Sequence, residues 1–177
     1  MSKPTRKIAL ALAALVAGFI VLLATRSPIS NDRPSTLLIA KMAPEISGRS
    51  IIDGRQVSLT SLRTQNKYVL VNFFGSYCIP CIKEHPDLVK IGKNLAEDVT
   101  ILGVMFEENV DDARDFFKQR GGNWPVVDSP RTAVDYGVVK IPESFLISPS
   151  GVVLFKASGG ITEKNFKEIL DQAKGAA

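Results

Sequence analysis

The chain has 177 residues, enough for one domain and a tail, and a formal net charge of +4. That charge sits in the tail: residues 1–40 carry Lys3, Arg6, Lys7, Arg26 and Arg33 against Asp32 alone, leaving 17 basic and 17 acidic side chains for the rest. An electrically neutral domain argues against a nucleic-acid partner, and two cysteines are too few for a four-thiolate zinc site.

Residues 1–7 read as a basic leader that stays on the cytoplasmic side. Residues 8–24 are 17 positions without a charge. As a helix they would reach about 25 Å, at the short end for a membrane crossing. A cleavage site wants small residues at its last and third-last positions. Leu22 fills the third-last place before Ala24, and the Thr25-Arg26-Ser27 alternative runs into Pro28. An uncleaved single-pass anchor in the inner membrane is therefore predicted over a cleaved signal peptide. Either one delivers the following domain outside the cytoplasm. Residues 25–40 are polar and contain Ser27-Pro28 and Arg33-Pro34, the composition of a tether.

Residues 41–177 read as the folded domain. Between Met42 and Leu62 the pattern gives a short strand, an Asp53-Gly54 turn and a second short strand, with Leu59–Leu62 entering one helical turn. Lys67–Phe74 is apolar on both faces, as in a strand covered by helices on each side. Gly75-Ser76-Tyr77 then turns into Cys78-Ile79-Pro80-Cys81, and a helical pattern follows to Ala96 with Ile82, Leu88, Ile91 and Leu95 along one side. Pro86 predicts a kink in it.

Two cysteines three apart at a helix start can close a disulfide. Unpaired N–H groups and the helix dipole there stabilise a thiolate on Cys78. Pro80 suits the first turn, where its missing N–H would find no partner. Cys81 lies deeper, so Cys78 is the expected nucleophile and Cys81 the resolving thiol. A structural disulfide or half a metal site is the plainer reading; the strand-turn-helix context favours redox chemistry. Asn72 reads as a hydrogen-bonded core amide. Glu84 either tunes the thiols or is a solvated helix charge. His85, the lone histidine, reads as surface or partly packed, and no metal site is expected.

Further along, Val99–Phe106 reads as a second core strand. Asn109, Asp111 and Asp112 start a helix carrying Val110, Ala113, Phe116 and Phe117, closed by Gly121-Gly122. The acids here read as helix-start residues. Trp124–Asp128 is a short extended piece and Ala133–Val138 a brief helix. Residues 144–148 and 152–156 form a hairpin around Ser150-Gly151. A last helix carries Phe166, Ile169, Leu170 and Ala173.

Val71-Asn72-Phe73-Phe74-Gly75-Ser76-Tyr77-Cys78 resembles the V-N-F-W-A-x-W-C of the membrane-tethered thioredoxin-like proteins of the TlpA/ResA/CcmG (DsbE) group. Ala43-Pro44-Glu45-Ile46, Asp53-Gly54 and Val57–Leu62 resemble that group's opening segment, and Ala133–Val138 its A-x-x-Y-G-V. Pro142-Glu143-Ser144-Phe145-Leu146-Ile147 is similar to the P-E-T-F-L-I of the CcmG subgroup. Tyr77 and Phe74 stand where the group has tryptophans, which keeps both positions aromatic.

The resemblance covers about residues 41–175. It implies an α/β thioredoxin fold: a mixed central sheet with helices on both faces, an N-terminal β-hairpin extension and one N-terminal transmembrane helix. It implies a cis bond before Pro142 facing the cysteine pair, and a role for Glu143 in a site for a polar or positively charged segment, unless Glu143 is simply an exposed strand-end acid. It implies a thiol:disulfide interchange enzyme without a bound cofactor. Its substrate would be the haem-motif disulfide of apocytochrome c, or a maturation factor holding it, and a DsbD/CcdA-type membrane thiol reductant would supply electrons. A general disulfide oxidase, a reductant for copper-enzyme assembly and a noncatalytic apocytochrome-holding factor are the alternatives.

Overall fold

A computed structural model describes residues 12, 15–19, 38–64 and 67–175 of the chain. It divides into two units, residues 1–32 and 33–177. In the first, residues 12 and 15–19 are helical with exposed side chains. Most of the expected membrane segment 8–24 and of the tether 25–40 lies outside the described residues. No helix among the described residues is long and apolar enough to cross a membrane.

The second unit begins with the expected hairpin. β1 (Ser47–Arg49) pairs antiparallel with β2 (Gln56–Ser58). The turn between them depends on local chemistry: Asp53 accepts the Arg55 N–H at 3.1 Å, and Gly54 has φ +73°, a conformation that favours glycine. Ser58 caps the single-turn helix α1 (Leu59–Arg63) through a reciprocal exchange with Ser61.

The main sheet has five strands in the order β5 (Val126–Val127), β4 (Val99–Met105), β3 (Tyr68–Phe74), β6 (Glu143–Ile147) and β7 (Val153–Ser158). β3–β4 and β4–β5 are parallel, while β3–β6 and β6–β7 are antiparallel. Every residue of β3 is buried, which explains its continuous apolar run.

Alternation along β3 assigns its side chains to two cores. Val69, Val71 and Phe73 pack with α1, Ala133 of α4 (Pro130–Asp135) and the nearby Tyr136. Tyr68, Leu70 and Phe74 face α2 (Ile79–Asn94), α3 (Val110–Arg120) and α5 (Glu163–Gly175). This is the thioredoxin arrangement that the resemblance implies, helices on both faces of a mixed sheet. Asn72 falls in the second phase, between Leu70 and Phe74, so β3 aims a polar side chain at α2.

Candidate active site

β3 ends at Phe74, and the chain turns through Gly75 into the start of α2. Cys78 is the N-cap of that helix, with Pro80 in the first turn. The Cys81 N–H donates to Cys78 Sγ at 3.2 Å, so the outer sulfur already occupies the position where orphan helix donors favour negative charge. The two cysteines form a disulfide, with Cα atoms 5.2 Å apart. Cys78 is 8% exposed and Cys81 2%, which makes Cys78 the more accessible of the two cysteines.

The Ile141–Pro142 peptide is cis, and Cys78 Sγ lies 3.7 Å from Ile141 O. The loop before β6 thus faces the cysteine pair, as the resemblance implies. Gly75 makes the close approach possible. A Cβ there would sit 2.8 Å from the Tyr77 ring and 3.0 Å from Ile141 Cδ1. Tyr77 is 58% exposed, and its hydroxyl donates to Phe106 O at 3.1 Å. Burial, then the charges of Glu107 and Glu108, hold its phenol above the ordinary value, so it remains a neutral donor.

Glu84 is not a solvated charge. It is buried on the inner face of α2, one turn beyond Cys81. Its Oε1 accepts from Asn72 Nδ2 at 2.9 Å, and its Oε2 from the Ile161 N–H at 3.0 Å. Asn72 Nδ2 also lies 3.0 Å from Ser144 Oγ. Burial pushes the Glu84 carboxyl up to about 7, against the opposing pull of these two donors. Asn72 is the hydrogen-bonded core amide that was expected, and its partner is the carboxyl nearest in sequence to the resolving thiol.

His85 is more deeply placed than the surface or partly packed position that was expected. It is buried, its ring packs edge-on against Phe116 and Phe117 at centroid distances of 4.6 and 5.2 Å, and Nε2 is 2.8 Å from Gly121 O. Burial holds its pKa below the ordinary value. Glu143 is likewise no exposed strand-end acid. It is buried, ion-paired with Lys156 at 2.9 Å, and accepts from Ser158 Oγ at 3.1 Å. Both contacts use Oε1 and tie it to β7, while Oε2 is buried without a hydrogen-bond partner among the described residues. Among the described residues no cluster of three or more His, Cys, Asp or Glu could hold a metal ion.

Glu108, just beyond the end of β4, also reaches the site. Glu108 Oε2 accepts the Ser76 N–H at 2.9 Å, two residues before Cys78. Glu107 beside it has φ +49°, an uncommon conformation for a side chain of this kind and one that clusters at functional turns. The contact is between a backbone amide and a side chain 32 positions away, so no local pattern announces it.

A helix-capping cysteine disulfide facing a cis-proline loop on a mixed α/β sheet defines a thioredoxin-fold thiol:disulfide oxidoreductase. The profile of the AhpC/TSA family matches residues 39–156. The thiol:disulfide interchange protein CycY of Rhizobium leguminosarum bv. viciae is 34% identical over 116 residues, covering 63% of this chain and 60% of that protein. The thiol-disulfide oxidoreductase ResA of Bacillus subtilis (strain 168) is 34% identical over 125 residues, covering 69% of each chain. A crystal structure of a thioredoxin-family thiol:disulfide interchange protein from Chlorobium tepidum TLS superposes with a TM-score of 0.68 at 31% identity, covering 75% of this chain and 94% of that one. The chain belongs to the AhpC/TSA family and, within it, to the thioredoxin-like thiol:disulfide interchange proteins of the ResA/DsbE type.

Proposed function

We propose that the protein reduces the haem-motif disulfide of apocytochrome c, or of a maturation factor carrying it, outside the cytoplasm. The observation that carries this reading is the position of residues 142–147. This is the segment with the CcmG-like sequence, and it begins at the peptide bond facing Cys78, with Ile141 O 3.7 Å from the sulfur. An extended substrate segment pairs with the backbone beside Pro142, which lacks an N–H of its own.

The exchange runs in two displacements. The Cys78 thiolate attacks one sulfur of the substrate disulfide. That S–S bond breaks, and the departing substrate sulfur takes up a proton. Cys81, deprotonated, then attacks Cys78 Sγ, the mixed disulfide breaks, and the second substrate thiol leaves. Two electrons have passed to the substrate, and the Cys78–Cys81 disulfide is left. Glu84, on the same face as Cys81 one turn later and with a carboxyl pushed up to about 7, accepts the Cys81 proton at neutral pH. A membrane dithiol of the DsbD/CcdA kind returns the two electrons. Residues 8–24 anchor the domain in the inner membrane and residues 25–40 give it reach.

The test is trapping. Cys81→Ser protein, mixed with an oxidised Cys-x-x-Cys-His peptide, is expected to accumulate a mixed disulfide through Cys78. Wild-type protein is expected to release the reduced peptide. Trapping of unrelated disulfide peptides at equal rate would contradict the cytochrome assignment and leave a general exchanger.

A further inference from the structure

The side-chain amide of Asn72 carries two protons, and both are spent. One goes to Glu84 Oε1 at 2.9 Å, the other to Ser144 Oγ at 3.0 Å. Asn72 and Ser144 are register partners on β3 and β6, so their side chains stand on one face of the sheet. Asn72, Ser144 and Glu84 are 2%, 1% and 4% exposed, which leaves the three to one another instead of to bulk water. Exchange at the sulfurs uses Glu84 and, through it, Asn72. It leaves Ser144 without a task.

An amide can present either end to a neighbour. With Nδ2 on Glu84 it supports the carboxylate. Turned about, it would set Oδ1 against Glu84 Oε1, acceptor against acceptor, and only the protonated acid satisfies that arrangement. Ser144 Oγ receives the second amide proton in the first orientation. Without that oxygen the amide keeps a buried N–H with no partner, which is costly in a site sealed from water. The balance then tips toward the orientation that demands a protonated Glu84. Nothing else on the sheet sets this choice: the remaining donor to Glu84 is the Ile161 N–H, on Oε2 at 3.0 Å. Burial and these two donors govern the carboxyl, with no charge from another element among the described residues. The ionisable groups beside it are the two cysteines on its own helix. Ser144 also stands two residues beyond Pro142, so one strand carries both the loop that faces Cys78 and the oxygen that orients the amide.

We propose that Ser144 is a positioning residue for the second half of the exchange: its hydroxyl oxygen holds the Asn72 amide with the donor end on Glu84 and so keeps a carboxylate ready to take the Cys81 proton. The inference rests on disulfide exchange at Cys78 and on Glu84 as the proton acceptor, and adds the residue that orients the acceptor's support.

The two displacements are separated with dithiobis(nitrobenzoate) in excess over reduced full-length protein. Attack by the Cys78 thiolate breaks the reagent's S–S bond and releases one nitrothiobenzoate anion, at a rate proportional to reagent concentration. Attack by Cys81 on Cys78 Sγ then releases the second anion, at a rate independent of it. In wild type the second phase should rise with pH along a limb near 7, where the Glu84 carboxyl titrates, and Glu84→Gln should lose that limb. Ser144→Ala should move the limb up by about one unit, making the second phase about tenfold slower on its acid side. Ser144→Thr, which keeps the oxygen, should restore the wild-type limb. The first phase should be the same in wild type and both Ser144 variants. An unmoved or lowered limb in Ser144→Ala overturns the proposal and leaves Glu84 as the acceptor. An equal upward shift in Ser144→Thr also overturns it, because the cause would then be packing and not the hydroxyl. So does a first phase that slows in parallel, because the effect would then reach Cys78. A wild-type second phase that matches Glu84→Gln at every pH removes the acceptor, and the role of Ser144 with it, while exchange at Cys78 stands. Absence of both phases in wild type removes the exchange reading itself.

Discussion

Asn72 donates its amide to Glu84 at 2.9 Å, and that bond ties the centre of the sheet to a carboxyl one helical turn beyond Cys81. An aspartate at position 72 would face Glu84 as a second acid. An amide instead supports the carboxylate and leaves Glu84 as the single proton-exchanging group of the pair. Burial nonetheless dominates, and the carboxyl titrates at about 7.

The first prediction follows from linkage. Glu84 is raised from an ordinary 4.5 to about 7, so between these values the folded state binds more protons than the unfolded one. Its contribution is fully present below pH 4.5 and is lost as pH rises through 7, amounting to about 3 kcal/mol. His85, held below its ordinary 6.5, acts oppositely, and its contribution is lost as pH falls. Urea denaturation of wild type and Glu84→Gln at pH 5 and pH 8 separates them. The wild-type minus Glu84→Gln difference should shrink with rising pH; a difference independent of pH would contradict a buried titrating carboxyl.

The second prediction concerns the Glu143–Lys156 pair, which is buried on both sides. Lys156→Met should cost about 3–5 kcal/mol, because it leaves a buried carboxylate without its cation. Adding Glu143→Gln should restore much of that loss. Chemical denaturation of the single and double variants measures the coupling, and additive effects would show that the pair is not coupled.

The third prediction is steric. In Gly75→Ala the new Cβ meets the Tyr77 ring at 2.8 Å and Ile141 Cδ1 at 3.0 Å. Tyr77 is exposed enough to swing away, so the loss of stability should stay near the low end of overpacking, about 1 kcal/mol. The rate of exchange with a peptide disulfide should fall severalfold, because the displaced groups flank Cys78. Unchanged kinetics with a folded variant would show that the Tyr77–Ile141 contact does not shape the site.

The fourth prediction tests His85 as packing. His85→Ala should lose about 2–4 kcal/mol by opening a cavity among Phe116, Phe117 and Trp124. Exchange with a small disulfide should keep its wild-type rate. A large change in that rate at constant stability would assign His85 to the chemistry.

Much of the domain was legible because its signals are local. The apolar run of β3, the Asp53-Gly54 turn, the Asn109 cap and the strand-turn-helix around Cys78 each depend on neighbours in sequence. Glu84 and His85 were harder to place. The stripe of Ile82, Leu88, Ile91 and Leu95 suggests one inner face for α2, whereas the buried set is Cys81, Glu84, His85, Leu88 and Ile91. Positions 81, 84, 85 and 88 do share helical spacing, but an acid and a histidine disguised it. Their burial depends on Asn72, Ile161 and the aromatic side chains of α3, all distant in the chain. Glu143 was misplaced for the same reason, since its partner Lys156 lies across a strand pair. The Glu108–Ser76 contact left no pattern to read.

The most direct test of the account is the reduction potential of the Cys78–Cys81 pair, measured by equilibration with glutathione. The helix N-terminus favours a thiolate on Cys78, which by itself stabilises the reduced form. The buried Glu84 carboxyl opposes further negative charge beside Cys81 and pulls the other way. The account predicts a reductant, with a potential near that of thioredoxin, about −270 mV. A value near −120 mV, about that of a dedicated oxidant, would contradict it.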